Sequence, residues 1–84
     1  MKKLKVIYSI LRKLEKGEQV KQSDFDLTKE EWGDIADIIL NEGLAKEISV
    51  IRGGQGNKVQ IVFYEKAKIT LDGLRFLEEN DAYS

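Results

Sequence analysis

Ile48-Ser49-Val50-Ile51-Arg52-Gly53-Gly54-Gln55-Gly56-Asn57-Lys58-Val59-Gln60-Ile61-Val62-Phe63-Tyr64 carries two runs of period two around a glycine-rich centre. Period two is the mark of a strand whose side chains alternate between faces. Glycine and asparagine supply the positive φ that a tight connection needs, so the two runs predict a β-hairpin over 45–65. Ile48 and Val50 share the inward face of the first strand in this reading, with Val59, Ile61 and Phe63 inward on the second. Ile51, Val62 and Tyr64 are then left for the opposite face.

Working outward, the residues before the hairpin change to helical spacing. Leu4, Ile7, Leu11 and Leu14, with Tyr8 beside them and Val6 and Ile10 broadening it, form one apolar stripe over 3–16, and Gly17 stands where a left-handed C-cap is needed. Thr28 and Glu31 have capping-box spacing, and Leu27 with Trp32 has that of a hydrophobic staple. A second helix is therefore expected over 28–42, burying Trp32, Ile35, Ala36 and Ile39 and stopping at Gly43. Between the helices, 18–27 offers only Val20, Phe25 and Leu27 as anchors, enough for a brief strand or a small helix. After the hairpin, Thr70 caps a closing helix over 70–80, with Asp72 in its first turn.

Helix, helix, hairpin, helix in a chain of 84 residues predicts a single domain, 1–84, of α+β class. The architecture expected is a winged helix-turn-helix, a three-helix core with a β-hairpin wing and a C-terminal helix. Cysteine and histidine are both absent, which removes disulfides, zinc fingers, Cys or His nucleophile–base systems and imidazole acid–base chemistry. Neither a cofactor nor a metal is expected. Carboxylate pairs such as Asp24 with Asp26 lack a base or ligand cluster beside them, so the chain is read as no enzyme. With no membrane-length apolar run and no signal-peptide pattern, a cytoplasmic protein is expected.

The final third carries a recognisable pattern. Ile69-Thr70-x-x-Gly73-x-x-Phe76-Leu77-x-x-Asn80 follows a short strand, Ile10-Leu11-Arg12-Lys13 lies in a helix ending at Gly17, and Asn41-Glu42-Gly43-Leu44 leads into the hairpin. Together these make the chain resemble, nearly end to end, the YjcQ-like family of small phage-related winged-helix proteins. The resemblance implies a winged-helix fold in a phage-related or regulatory setting and brings no catalytic residues. A wider likeness to bacterial transcription regulators implies DNA binding at the level of fold.

Charge placement tests that implication. The net charge is −1, yet residues 1–21 hold seven basic and two acidic groups, and 22–51 hold two basic and eight acidic. In a helix-turn-helix protein the second helix enters the major groove. Here its outward row is Glu30, Asp34, Asp37 and Asn41, three carboxylates that oppose phosphate. Cations lie instead at the wing, where Arg52 and Lys58 flank Gly54, Gln55 and Asn57, and at Lys2 and Lys3. These residues are the candidate nucleic-acid contacts, through a wing in the minor groove. The alternative is a protein-interaction or dimerisation module without specific DNA binding. Its candidate surface is Ile51, Val62 and Tyr64, with Glu30, Asp34 and Asp37 as a charged counterpart.

Overall fold

The computed structural model describes the backbone of residues 3–54, 56 and 58–83, and their side chains except at 58–60 and 83. The elements, in order, are α1 (Lys3–Lys16), a 3₁₀ turn (Gln22–Asp24) and α2 (Lys29–Asn41), then β1 (Ala45–Lys46), β2 (Ser49–Gly53), β3 (Lys58–Phe63) and β4 (Lys68–Ile69). They close with α3 (Leu71–Glu79) and a 3₁₀ turn (Asp81–Tyr83). This is an α+β fold of three helices and two small sheets among the described residues, the helix–helix–hairpin–helix order read from the sequence. The segment 18–27 resolves to the single 3₁₀ turn.

Both long helices stop by the same device. At the end of α1, Glu18 N–H donates to the Lys13 carbonyl (2.8 Å) and Gly17 N–H to that of Leu14 (3.2 Å). At the end of α2, Leu44 donates to Ile39 (2.9 Å) and Gly43 to Leu40 (3.1 Å). This is the Schellman pattern, and it needs a left-handed residue at Gly17 (φ 74°) and Gly43 (φ 66°). The capping box of α2 forms in full, Glu31 N–H to Thr28 Oγ1 at 3.1 Å and Thr28 N–H to Glu31 Oε1 at 2.9 Å. That backbone hydrogen bond from Thr28 holds the Glu31 carboxyl below the usual carboxylate range.

The core is built where the apolar stripes of α1 and α2 meet, with Ile7, Ile10, Leu11, Ile35 and Ile39 fully enclosed. The broad α1 stripe forms as expected at Ile7, Tyr8, Ile10 and Leu11, whereas Leu4 in its first turn is exposed. Leu77 of α3 and Leu44, Ala45 and Ile48 of the strand region complete the cluster.

One long hairpin over 45–65 was expected, and the strand region instead splits into two antiparallel sheets. β1 pairs with β4 (Ala45 opposite Ile69), while β2 pairs with β3 (Val50 opposite Val62). The break falls at Glu47, whose φ of 61° is left-handed and cannot continue a strand. Below it, β1 and β4 tie the end of α2 to the start of α3. Above it, β2 and β3 project as a separate hairpin over α2. No helix among the described residues is long and apolar enough to cross a membrane.

Candidate interaction surface on the hairpin

The hairpin's two faces are set by its register. Ile51 stands opposite Ile61 and Ser49 opposite Phe63, but Arg52 stands opposite Val59 and Gly53 opposite Lys58. One residue of β3, Gln60, is therefore extra, and the ladder shifts between Ile51 and Arg52. Such a bulge changes the parity of the alternation below it. The tip follows the register expected from the sequence. The base does not.

The consequence is an exchange of faces. Val50, Val62 and Tyr64 turn towards α2 and pack on the core, whereas Ile51, Ile61 and Phe63 turn outward, 47%, 47% and 42% exposed. Tyr64, expected on an open partner surface, is buried at 6% exposure and meets Trp32 edge-on with ring centroids 5.5 Å apart. Val62 is likewise half-buried against the cluster. Of the expected apolar patch only Ile51 lies outside, and its neighbours are Ile61 and Phe63.

Among the described residues the Tyr64 hydroxyl has no hydrogen-bond partner, and burial pushes the phenol well above the usual tyrosine range. A raised folded pKa favours the folded state below the ordinary value near 10 and loses that advantage as pH rises past it, by up to about 1.4 kcal/mol per unit. Tyr64→Phe removes a hydroxyl buried without a partner. The variant is expected to be as stable as the parent or up to about 1 kcal/mol more stable at neutral pH. It is also expected to lose that share of the alkaline destabilisation. Urea unfolding at pH 7 and pH 11 checks both, and a loss above about 1 kcal/mol at pH 7 would show that the hydroxyl is bonded.

The charged residues also find partners that spacing did not announce. Arg52 reaches back from the hairpin to the Asp37 carboxylate of α2. A candidate DNA contact and a member of the acidic row are thus joined in one ion pair. Glu30, Asp34 and Asn41 remain exposed on α2. Lys13 lies 3.6 Å from Asp24 and 3.9 Å from Glu18, and Arg12 lies 2.8 Å from Glu15. Folding therefore brings part of the basic N-terminal segment against the acidic segment that follows it. Lys3 is exposed at the start of α1. Gly54 (φ 73°) and Gly56 (φ 79°) turn the tip, while Lys2, Gln55, Asn57 and the Lys58 side chain lie outside the described residues.

Among the described residues, depressions adjoin the hairpin at two places. One of about 330 Å³ lies between residues 17–21 and 62–65. The other, about 300 Å³, sits at the hairpin base beside Phe63, between Glu47 and Ser49 on one side and Glu65 and Lys66 on the other. Among the described residues no group of three acidic side chains is placed to hold a metal ion. Ile61 and Phe63 are the surface residues that sequence reasoning assigned to the interior. Alternation gives two faces but not their sense, and nothing in it announces Gln60 as the extra residue.

The pattern that carried the family resemblance has a structural explanation. Thr70 Oγ1 accepts from Gly73 N–H (3.1 Å) and donates to the Gly43 carbonyl (2.5 Å), while Thr70 N–H donates to the Leu44 carbonyl (3.1 Å). Thr70 thereby caps α3 and fastens it to the end of α2, and Gly73 lets the two approach. No curated protein and no solved structure matches the chain. The family model described as YjcQ protein matches residues 8–84, and the chain belongs to the YjcQ family.

Proposed function

We propose that the chain is a winged-helix protein-interaction module, binding rather than catalytic, that meets protein through the outer face of its wing. One observation carries this reading: Ile51, Ile61 and Phe63 lie together on one face of β2 and β3 and are each nearly half exposed. Single exposed apolar residues are ordinary, whereas a contiguous group on a projecting hairpin is a contact surface. The module is placed in the cytoplasm and in the phage-related setting that the family resemblance implies.

DNA binding through the wing is the second reading, favoured by the exposed glycine tip. It requires Arg52 to leave Asp37, and Glu30 and Asp34 on α2 oppose a phosphate backbone. Two measurements separate the readings. With a photoreactive residue at position 61, irradiation is expected to give a protein adduct that the same probe at Glu78 of α3 does not give. A labelled duplex is expected to show no anisotropy change at low salt. Binding that fades as salt rises and weakens in Arg52→Ala, with no adduct at 61, would replace the proposal with the DNA reading.

A further inference from the structure

We infer that the edge of β3 turned away from β2 takes up an extended polypeptide segment of a partner protein, paired as an added strand in the depression between β3 and residues 17–21. This goes beyond the reading of the outer face and does not depend on it, since it rests on main-chain groups and not on the exposed apolar side chains.

In an antiparallel pair every second residue of a strand turns its N–H and C=O away from the neighbouring strand. Among the described residues β3 has β2 on one side and no strand on the other. Its free edge runs to Tyr64, whose carbonyl accepts the Ala67 N–H (3.0 Å). Across the depression lies a second unpaired edge. Lys21 is extended (φ −125°, ψ 140°). Among the described residues no hydrogen bond engages the N–H groups of Gln19, Val20 and Lys21 or the carbonyls of Glu18, Gln19 and Val20, and no backbone bond joins 17–21 to 61–65.

The 18–21 segment is kept from closing on β3 because both its ends are held. At one end Glu18 N–H donates to the Lys13 carbonyl (2.8 Å) in the stop of α1, and at the other the Lys21 carbonyl accepts from Asp24 N–H (3.1 Å) in the 3₁₀ turn. Val20, between them, packs against the core. The two edges therefore stand apart, with about 330 Å³ between them. That is the liquid volume of roughly ten waters, room for a short stretch of main chain rather than for one bridging water. An unpaired edge is a template for a further strand. A main chain entering this slot meets unpaired donors and acceptors on both sides, which is the chemistry of strand addition.

Side chains decide which segment fits. Those of an added strand alternate, so one set turns inward to Val20 and Val62, both half-buried, and the other turns outward beside the exposed Phe63. β-Branched apolar residues at every second position suit the inward set. Glu18, Lys21 and Glu65 border the depression, and Lys13 lies 3.9 Å from Glu18. With both signs of charge around it, the slot excludes neither an acidic nor a basic peptide, and selection falls to the main chain and the inward side chains.

Random linear octapeptides displayed on phage and selected on the full chain are the probe. The selected peptides are expected to carry Val, Ile or Thr at alternate positions. Titrated into the isotope-labelled chain, they should shift the amide resonances of 18–21 and 61–65 together and slow hydrogen exchange at every second amide of β3. Methylating alternate peptide nitrogens keeps every side chain but removes strand donors, and is expected to weaken binding about tenfold or more. Only the peptide is altered, so no variant of the chain has to fold. A selection that enriches no peptide, a peptide that leaves 18–21 unshifted, or one indifferent to nitrogen methylation would each overturn strand addition. Peptides that shift Ile51, Ile61 and Phe63 without 18–21 would overturn it too, and would leave the outer face standing as the contact surface.

Discussion

Gly73→Ala is expected to lower the unfolding free energy by about 3 kcal/mol. Alanine is normally the better helix former by about 1 kcal/mol, so propensity alone predicts the opposite sign. Packing decides the outcome. A Cβ at position 73 would lie 2.1 Å from the Leu44 carbonyl oxygen and 2.5 Å from Ile69 Cγ1. The carbonyl is backbone, and it accepts the Thr70 N–H at 3.1 Å, so it cannot retreat without breaking the joint between α2 and α3. A domain of this size has only about 4–13 kcal/mol in total, so the loss is a large fraction of it. In urea the midpoint should fall by about 2 M, for a slope near 1.3 kcal/mol/M. An unchanged or raised midpoint would mean that α3 does not pack as described.

Trp32→Ala is expected to cost about 3–5 kcal/mol, enough to leave the chain largely unfolded at 37 °C. Trp32 is 5% exposed and joins three elements, with Phe25 at 5.6 Å on the loop side and Tyr64 at 5.5 Å on the hairpin side. Its removal leaves a cavity where α2, the 18–27 segment and β3 meet, and α2 cannot fill it without leaving α1. Trp32→Phe keeps a ring in place and should cost about 1–2 kcal/mol. Thermal melts followed by circular dichroism give both values independently of tryptophan fluorescence, which the substitutions remove. If Trp32→Ala melted within a few degrees of the parent, the hairpin would have to be anchored elsewhere.

Residues that act within their own helix were legible in advance. The Thr28–Glu31 box, the stops at Gly17 and Gly43 and the Thr70 cap each involve groups only a few positions apart, and spacing alone reveals them. The stripe of α2 was legible for the same reason. The candidate surface was legible only in part. Ile51 was placed on it correctly, while Tyr64 and Val62 were exchanged for Phe63 and Ile61 because one residue, Gln60, shifts the ladder. Glu47 breaks the expected long hairpin through a left-handed backbone that glutamate seldom adopts, and composition gives no warning of it.

The sequence by itself determined the element order, the helix ends and the absence of cysteine and histidine chemistry, because these depend on residue identity and near-neighbour spacing. The tertiary structure alone decided which hairpin face is buried, that Arg52 is held by Asp37, and that Gly73 is a point of close approach. Each of these joins residues distant in the chain or turns on a one-residue shift of register. A period-two pattern is symmetric between its faces until α2 and the core cover one of them.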